Sequence, residues 1–112
     1  MVGDINYFYI PAANAEDARE FYGAVLGWEF TPRDQGDGYR VTNSSPTGAV
    51  VAGREGAAPH VYFHVDDIDA AVALVRKLGG QASDPDVFAQ GASAECTDVH
   101  NVSFGLFQPA SD

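Results

Sequence analysis

Two stretches of the chain carry the same alternation of apolar and polar positions. In residues 5–10, INYFYI, an extended backbone puts Phe8 and Ile10 on one side and Tyr7 and Tyr9 on the other. In residues 60–65, HVYFHV, Val61, Phe63 and Val65 share one side, and His60, Tyr62 and His64 share the other. After each stretch the period changes from two to that of a helix. Pro11 is expected to end the first strand. Asn14 is then the N-cap of a helix whose buried stripe is Ala18, Phe21, Tyr22 and Val25, with Gly27 as its stop. In the second case Asp66 or Asp67 caps a helix with Ile68, Ala71, Val72, Val75 and Leu78 inward, closed by Gly79 and Gly80.

Shorter strands are expected at 28–31, 39–43 and 49–52, separated by the turn-rich RDQGDG and SSPTG, and again at 81–83, 92–97 and 103–108. The last two are joined by DVHN, where Asn101 accepts a left-handed backbone. The segment AGREGAAP reads as a linker. An offset of 53 residues aligns Tyr7 with His60, Tyr9 with Tyr62, Asn14 with Asp67 and Ala18 with Ala71. Strand parity, cap and helix stripe all keep this register, so the chain is a duplicated strand–helix–strands unit. The expected organisation is a single domain over 1–112, with module one at about 1–53 and module two at about 59–109, each βαβββ.

Composition narrows the choice of partners. The 112 residues are 46% hydrophobic and carry 16 acidic against 6 basic side chains, a formal charge of -10. Nucleic-acid backbones and anionic membrane surfaces are repelled, and cationic or neutral ligands favoured. No leader-like or membrane-spanning window occurs, which points to a cytoplasmic protein. Cys96 is alone, so it forms no internal disulfide and belongs to no structural zinc cluster.

The segments IPAANAEDAREFYGAVLGWEF and VDDIDAAVALVRKLGG resemble the two module signatures of the vicinal oxygen chelate superfamily, the glyoxalase, bleomycin-resistance and extradiol-dioxygenase group. TDVHNVSFGLFQP is similar to its closing hairpin. The resemblance implies an α+β fold: two βαβββ modules forming a curved, cup-shaped mixed sheet, with helices on the convex side. It also implies that His60, Tyr62 and His64 face the cup while Val61, Phe63 and Val65 pack under a helix. Metal-dependent members hold an ion with a His or Gln on the first strand of each module and an acidic residue on the last. Here His60 stands at one such position, its counterpart is Tyr7, and the position of the final carboxylate is Gly105. TGAVVAG, where the remaining ligand falls, has no carboxylate, imidazole or thiolate. His60 is therefore only a weak metal candidate, and no divalent metal or other cofactor is expected.

By this reading the protein binds a small molecule in an aromatic cup lined by Tyr7, Tyr9, His60, Tyr62, His64, Ser103 and Phe107, with Trp28 and Tyr39 at the rim. Rings supply apolar area, while hydroxyl and imidazole groups fix orientation. The ligand expected is aromatic or cationic, and the resemblance implies a homodimer. The alternative is an enzyme of the same superfamily. It would be a glyoxalase-like lyase or dioxygenase-like protein, either metal-dependent or using His60 or His64 as general base with Tyr7 or Tyr62 as donor.

Overall fold

The computed structural model describes residues 1–34 and 37–110. Two helices and nine strands, paired both parallel and antiparallel, make these residues an α+β fold. The chain divides into two compact units: Tyr7–His60 is the first, and Met1–Asn6 with Val61–Asp112 is the second.

The first unit runs β1 (Ile5–Ala12), α1 (Ala15–Leu26), β2 (Phe30–Pro32), β3 (Tyr39–Val41) and β4 (Gly48–Ala52). β1 lies parallel to β4, β4 antiparallel to β3, and β3 antiparallel to β2. Pro11 does not end β1. It stays in register with Val51, since a proline forfeits one donor but keeps an extended backbone. Asn14 caps α1 by accepting from the Asp17 amide at 3.1 Å, and Gly27 ends it in the left-handed region that a side chain would resist.

The inward stripe of α1 differs from the expected one. Ala15, Ala18, Arg19, Tyr22 and Gly23 turn inward, while Phe21 and Val25 are 60% and 61% exposed. The helix is rotated by about one residue because its contact is with an aromatic layer, where Trp28 lies 5.5 Å from both Phe8 and Tyr22 and Phe30 follows at 6.3 Å. Gly23 faces the Trp28 carbonyl and the Phe30 ring. Asn43 pins the chain leaving the helix by accepting from the Glu29 amide and donating to the Gly27 carbonyl.

The second unit runs β5 (His60–His64), α2 (Ile68–Lys77), β6 (Gln81–Ala82), β7 (Asp86–Phe88), β8 (Gly91–Thr97) and β9 (Ser103–Pro109). β5 pairs parallel with β9, β9 antiparallel with β8, and β8 with both β6 and β7. The first residues of the chain belong here: the Gly3 amide donates to the His64 carbonyl and the His64 amide to that of Asp4. Asp67 is the cap of α2, accepting from the Ala70 amide at 3.1 Å.

Val65, Ile68, Val72, Ala92, Ala94, Cys96 and Leu106 form the core of this unit, with Phe63 and Phe104 packed against it. Leu78 is not part of it: the helix ends there and the side chain is 66% exposed. Asn101 takes the expected left-handed backbone, with φ 67. β7 is absent from the sequence reading because three residues between Pro85 and the next turn hold less than two periods of alternation. No helix among the described residues is long and apolar enough to cross a membrane.

Candidate functional site

In the second unit the strand register sorts side chains cleanly between two faces. Ala92, Ala94 and Cys96 of β8 point toward α2, so Ser93, Glu95 and Thr97 point the other way. Glu95 stands opposite Gly105 of β9, and Gly105 stands beside Tyr62 of β5. With no side chain at 105, the Tyr62 ring lies across the strand, in the space that a Cβ there would fill. Its hydroxyl reaches Glu95 and donates to Oε2 at 2.5 Å. The Tyr62 ring is only 6% exposed while Glu95 is open to solvent. The result is a buried ring ending in a short, charge-assisted hydrogen bond at the surface of the open face.

Other expected residues gather on this face. His64 and Ser93 flank Phe107 in register, and the Phe107 ring lies 6.0 Å from Phe88. One His64 ring nitrogen sits 3.0 Å from Oδ1 of Asp66, which orients the imidazole. Ser103 is exposed at the start of β9, two residues before Gly105. Ser93, Phe88 and Glu95 were not anticipated. Phe88 lies on the unpredicted β7. Glu95 lies one strand away from the position searched for a carboxylate, although the alternation in GASAECT already separates Ser93, Glu95 and Thr97 from the apolar residues.

The first unit presents its own open face. Tyr7 and Tyr9 meet edge to face, with centroids 5.4 Å apart, and the Arg33 guanidinium lies 5.7 Å over Tyr9. His60 is half-buried at the start of β5 and clusters with this unit. Trp28 and Tyr39 are not at the rim of this face. Tyr39 is in register with Val50, and Val50 with Ile10, so Tyr39 shares the side covered by α1; there Arg19 lies 5.2 Å over its ring. Trp28 is held in the aromatic layer beneath α1.

Two titrating groups are displaced by their surroundings. Burial pushes the Cys96 thiol up, reinforced by the charge of Glu95 against that of Arg76. Backbone amides of Val102 and His100 hold the Asp98 carboxyl below the usual carboxylate range. Neither group lies on the open face.

Among the described residues no three His, Cys, Asp or Glu side chains come together to hold an ion, and the superfamily positions carry Tyr7, His60 and Gly105. A lone imidazole does not hold a divalent ion in place.

A family profile described as "Glyoxalase-like domain" matches residues 7–101. No curated protein matches the sequence. Among solved structures, methylmalonyl-CoA epimerase from Mycobacterium tuberculosis is similar, with a TM-score of 0.72 at 17% identity over 98% of this chain and 90% of that one. A hypothetical protein from Bacillus halodurans C-125 has a TM-score of 0.75 at 12% identity over 98% and 96%. A methylmalonyl-CoA epimerase in complex with methylmalonyl-CoA and ammonium has 0.66 at 19% identity over 99% and 97%. At these identities the likeness is one of fold.

Proposed function

The chain belongs to the glyoxalase-like domain family, and from that premise we propose that it binds a small organic molecule against the open face of its second unit, without a resident divalent metal. The observation that carries the reading is the Tyr62–Glu95 hydrogen bond across Gly105, set beside the paired rings of Phe107 and Phe88. Rings offer apolar area at low entropic cost, and the carboxylate offers a fixed acceptor. A carboxylate takes several donors at once, so Glu95 can hold Tyr62 and an ammonium or amide of the ligand together. The ligand is therefore aromatic with a cationic or donor group, in keeping with the net charge of -10.

The reading includes a homodimer, supported by the superfamily resemblance. Sedimentation across a concentration series tests the dimer, and a monomer at every concentration contradicts it.

Calorimetric titration with phenethylammonium tests the ligand class. Saturable binding is expected, weakened about tenfold in Glu95→Gln by the loss of a charge-assisted contact. Equal heats in both proteins would overturn the assignment.

A second reading has support from the fold neighbours, which include epimerases bound to acyl-CoA ligands. In it Glu95 removes a proton from the carbon next to a carbonyl while the Tyr62 hydroxyl donates to the developing enolate oxygen; returning the proton restores both groups. Deuterium uptake from heavy water into methylmalonyl-CoA discriminates: uptake abolished by Glu95→Gln favours the enzyme, and none favours the binding protein.

A further inference from the structure

The open face of the first unit differs in sign from the rest of the chain. By register, Arg40 stands opposite Ala49, and Ala49 stands beside Tyr9. Tyr7, Thr31 and Val51 share that face by parity, and none of its strand positions carries a carboxylate. Tyr9 and Arg40 are two strand spacings apart, roughly 10 Å, with only a methyl group between them. An arginine and a tyrosine ring readily meet across such a gap. Arg33, directly after β2, has its guanidinium over Tyr9 and its Nη1 donating to the Asp37 carbonyl at 3.2 Å.

Among the described residues the Arg40 guanidinium makes no hydrogen bond or ion pair, although the chain holds 16 acidic residues. Arg33 stands over Tyr9 and Arg40 shares the Tyr9 face by register, so the charge that these strand positions and the Arg33 side chain bring to that face is positive. An anion within reach of both guanidiniums is attracted by each. Guanidinium forks match the paired oxygens of carboxylates and phosphates, and a tyrosine offers a hydroxyl donor and a flat ring wall.

We propose that the Tyr7, Tyr9, Arg33 and Arg40 face of the first unit is a binding site for an anionic oxygen group, a carboxylate or a phosphate. It is assigned independently of the ligand proposed for the second unit and has the opposite charge preference.

The test uses the full chain at constant ionic strength. Inorganic phosphate and acetate are titrated separately, with chloride as the control, while the Arg33 and Arg40 side-chain Nε–H signals and the Tyr7 and Tyr9 amides are followed by NMR. Saturable shifts at these groups are expected with one or both oxyanions and not with chloride. Arg40→Gln and Arg33→Gln should each weaken the effect about tenfold, the loss of one charge-assisted contact. Whichever of phosphate and acetate binds more tightly identifies the group. Shifts of equal size with chloride, no shifts with either oxyanion, or unchanged affinity in both variants would overturn the site. The phenethylammonium titration distinguishes this proposal from the previous one: oxyanion binding with no amine binding upholds this face and removes the other, and the converse removes this one.

Discussion

The two units of the chain answer the same geometric problem with opposite chemistry. In each, a tyrosine on a parallel strand and a charged residue on an antiparallel strand face one another across a small residue: Tyr9, Ala49 and Arg40 in the first, Tyr62, Gly105 and Glu95 in the second. Residues 7–60 hold seven acidic side chains against four arginines, and the remainder holds nine against Arg76 and Lys77, so both units are negative overall. The sign at the paired position is therefore not a consequence of the surrounding composition. It is set residue by residue on the face that the helices leave uncovered. The cores differ too: α2 buries Ile68 and Val72 in an aliphatic cluster, whereas α1 buries no side chain fully and rests on rings.

The largest effects are expected where the second core is cut. Leu106→Ala removes a buried branched side chain and should cost about 2–5 kcal/mol by chemical denaturation. Phe21→Ala, on the exposed side of α1, should cost within about 0.5 kcal/mol. Equal losses would mean that the helix rotation described for α1 is wrong.

Next come the two glycines that lie under rings. Gly48→Ala places a methyl group against the Phe8 ring and Gly105→Ala against the Tyr62 ring. Each should cost roughly 1–3 kcal/mol of overpacking. Only the second should also break the Tyr62–Glu95 bond and phenethylammonium binding, because Gly48 lies on the side that α1 covers. A loss of amine binding in Gly48→Ala would blur the distinction between faces. Tyr62→Phe is milder: it leaves the ring in place and removes one hydrogen bond, for about 1 kcal/mol and a clear fall in amine affinity.

The smallest effect concerns Asp98, whose carboxylate accepts from the His100 amide at 2.8 Å and from the Val102 amide at 3.0 Å. Its folded value is depressed. The turn therefore gains stability above the ordinary carboxylate range and loses it as pH falls through the lowered value. The His100 and Val102 amide signals should move together with a midpoint below that of an ordinary aspartate, and Asp98→Asn should abolish the transition. A midpoint at or above that of an ordinary aspartate would contradict the direction of the shift.

Much of this could be read from the alternation of the sequence. The caps Asn14 and Asp67, the left-handed Gly27 and Asn101, and the opposed faces of HVYFHV depend on local geometry, which neighbouring residues encode. Glu95 escaped notice because its role arises from cross-strand register, and register depends on which strands pair. Tyr39 was misplaced for a related reason, since its side is fixed by pairing through Val50 to Ile10, and Trp28, between α1 and β2, is placed by its ring contacts with Phe8 and Tyr22, which no short-range period reports. The exposure of Phe21 and Val25 follows from an aromatic contact layer whose depth the helical period does not carry.

Reversing the sign at the paired positions tests the account most directly. Glu95→Arg and Arg40→Glu are each titrated with phenethylammonium and with inorganic phosphate, following the Tyr62 and Tyr9 amides by NMR. Glu95→Arg should lose the amine response at Tyr62 and gain one to phosphate there, while Arg40→Glu should lose the phosphate response at Tyr9. Responses in both variants that match the unmodified protein would show that these two residues do not set what each face binds.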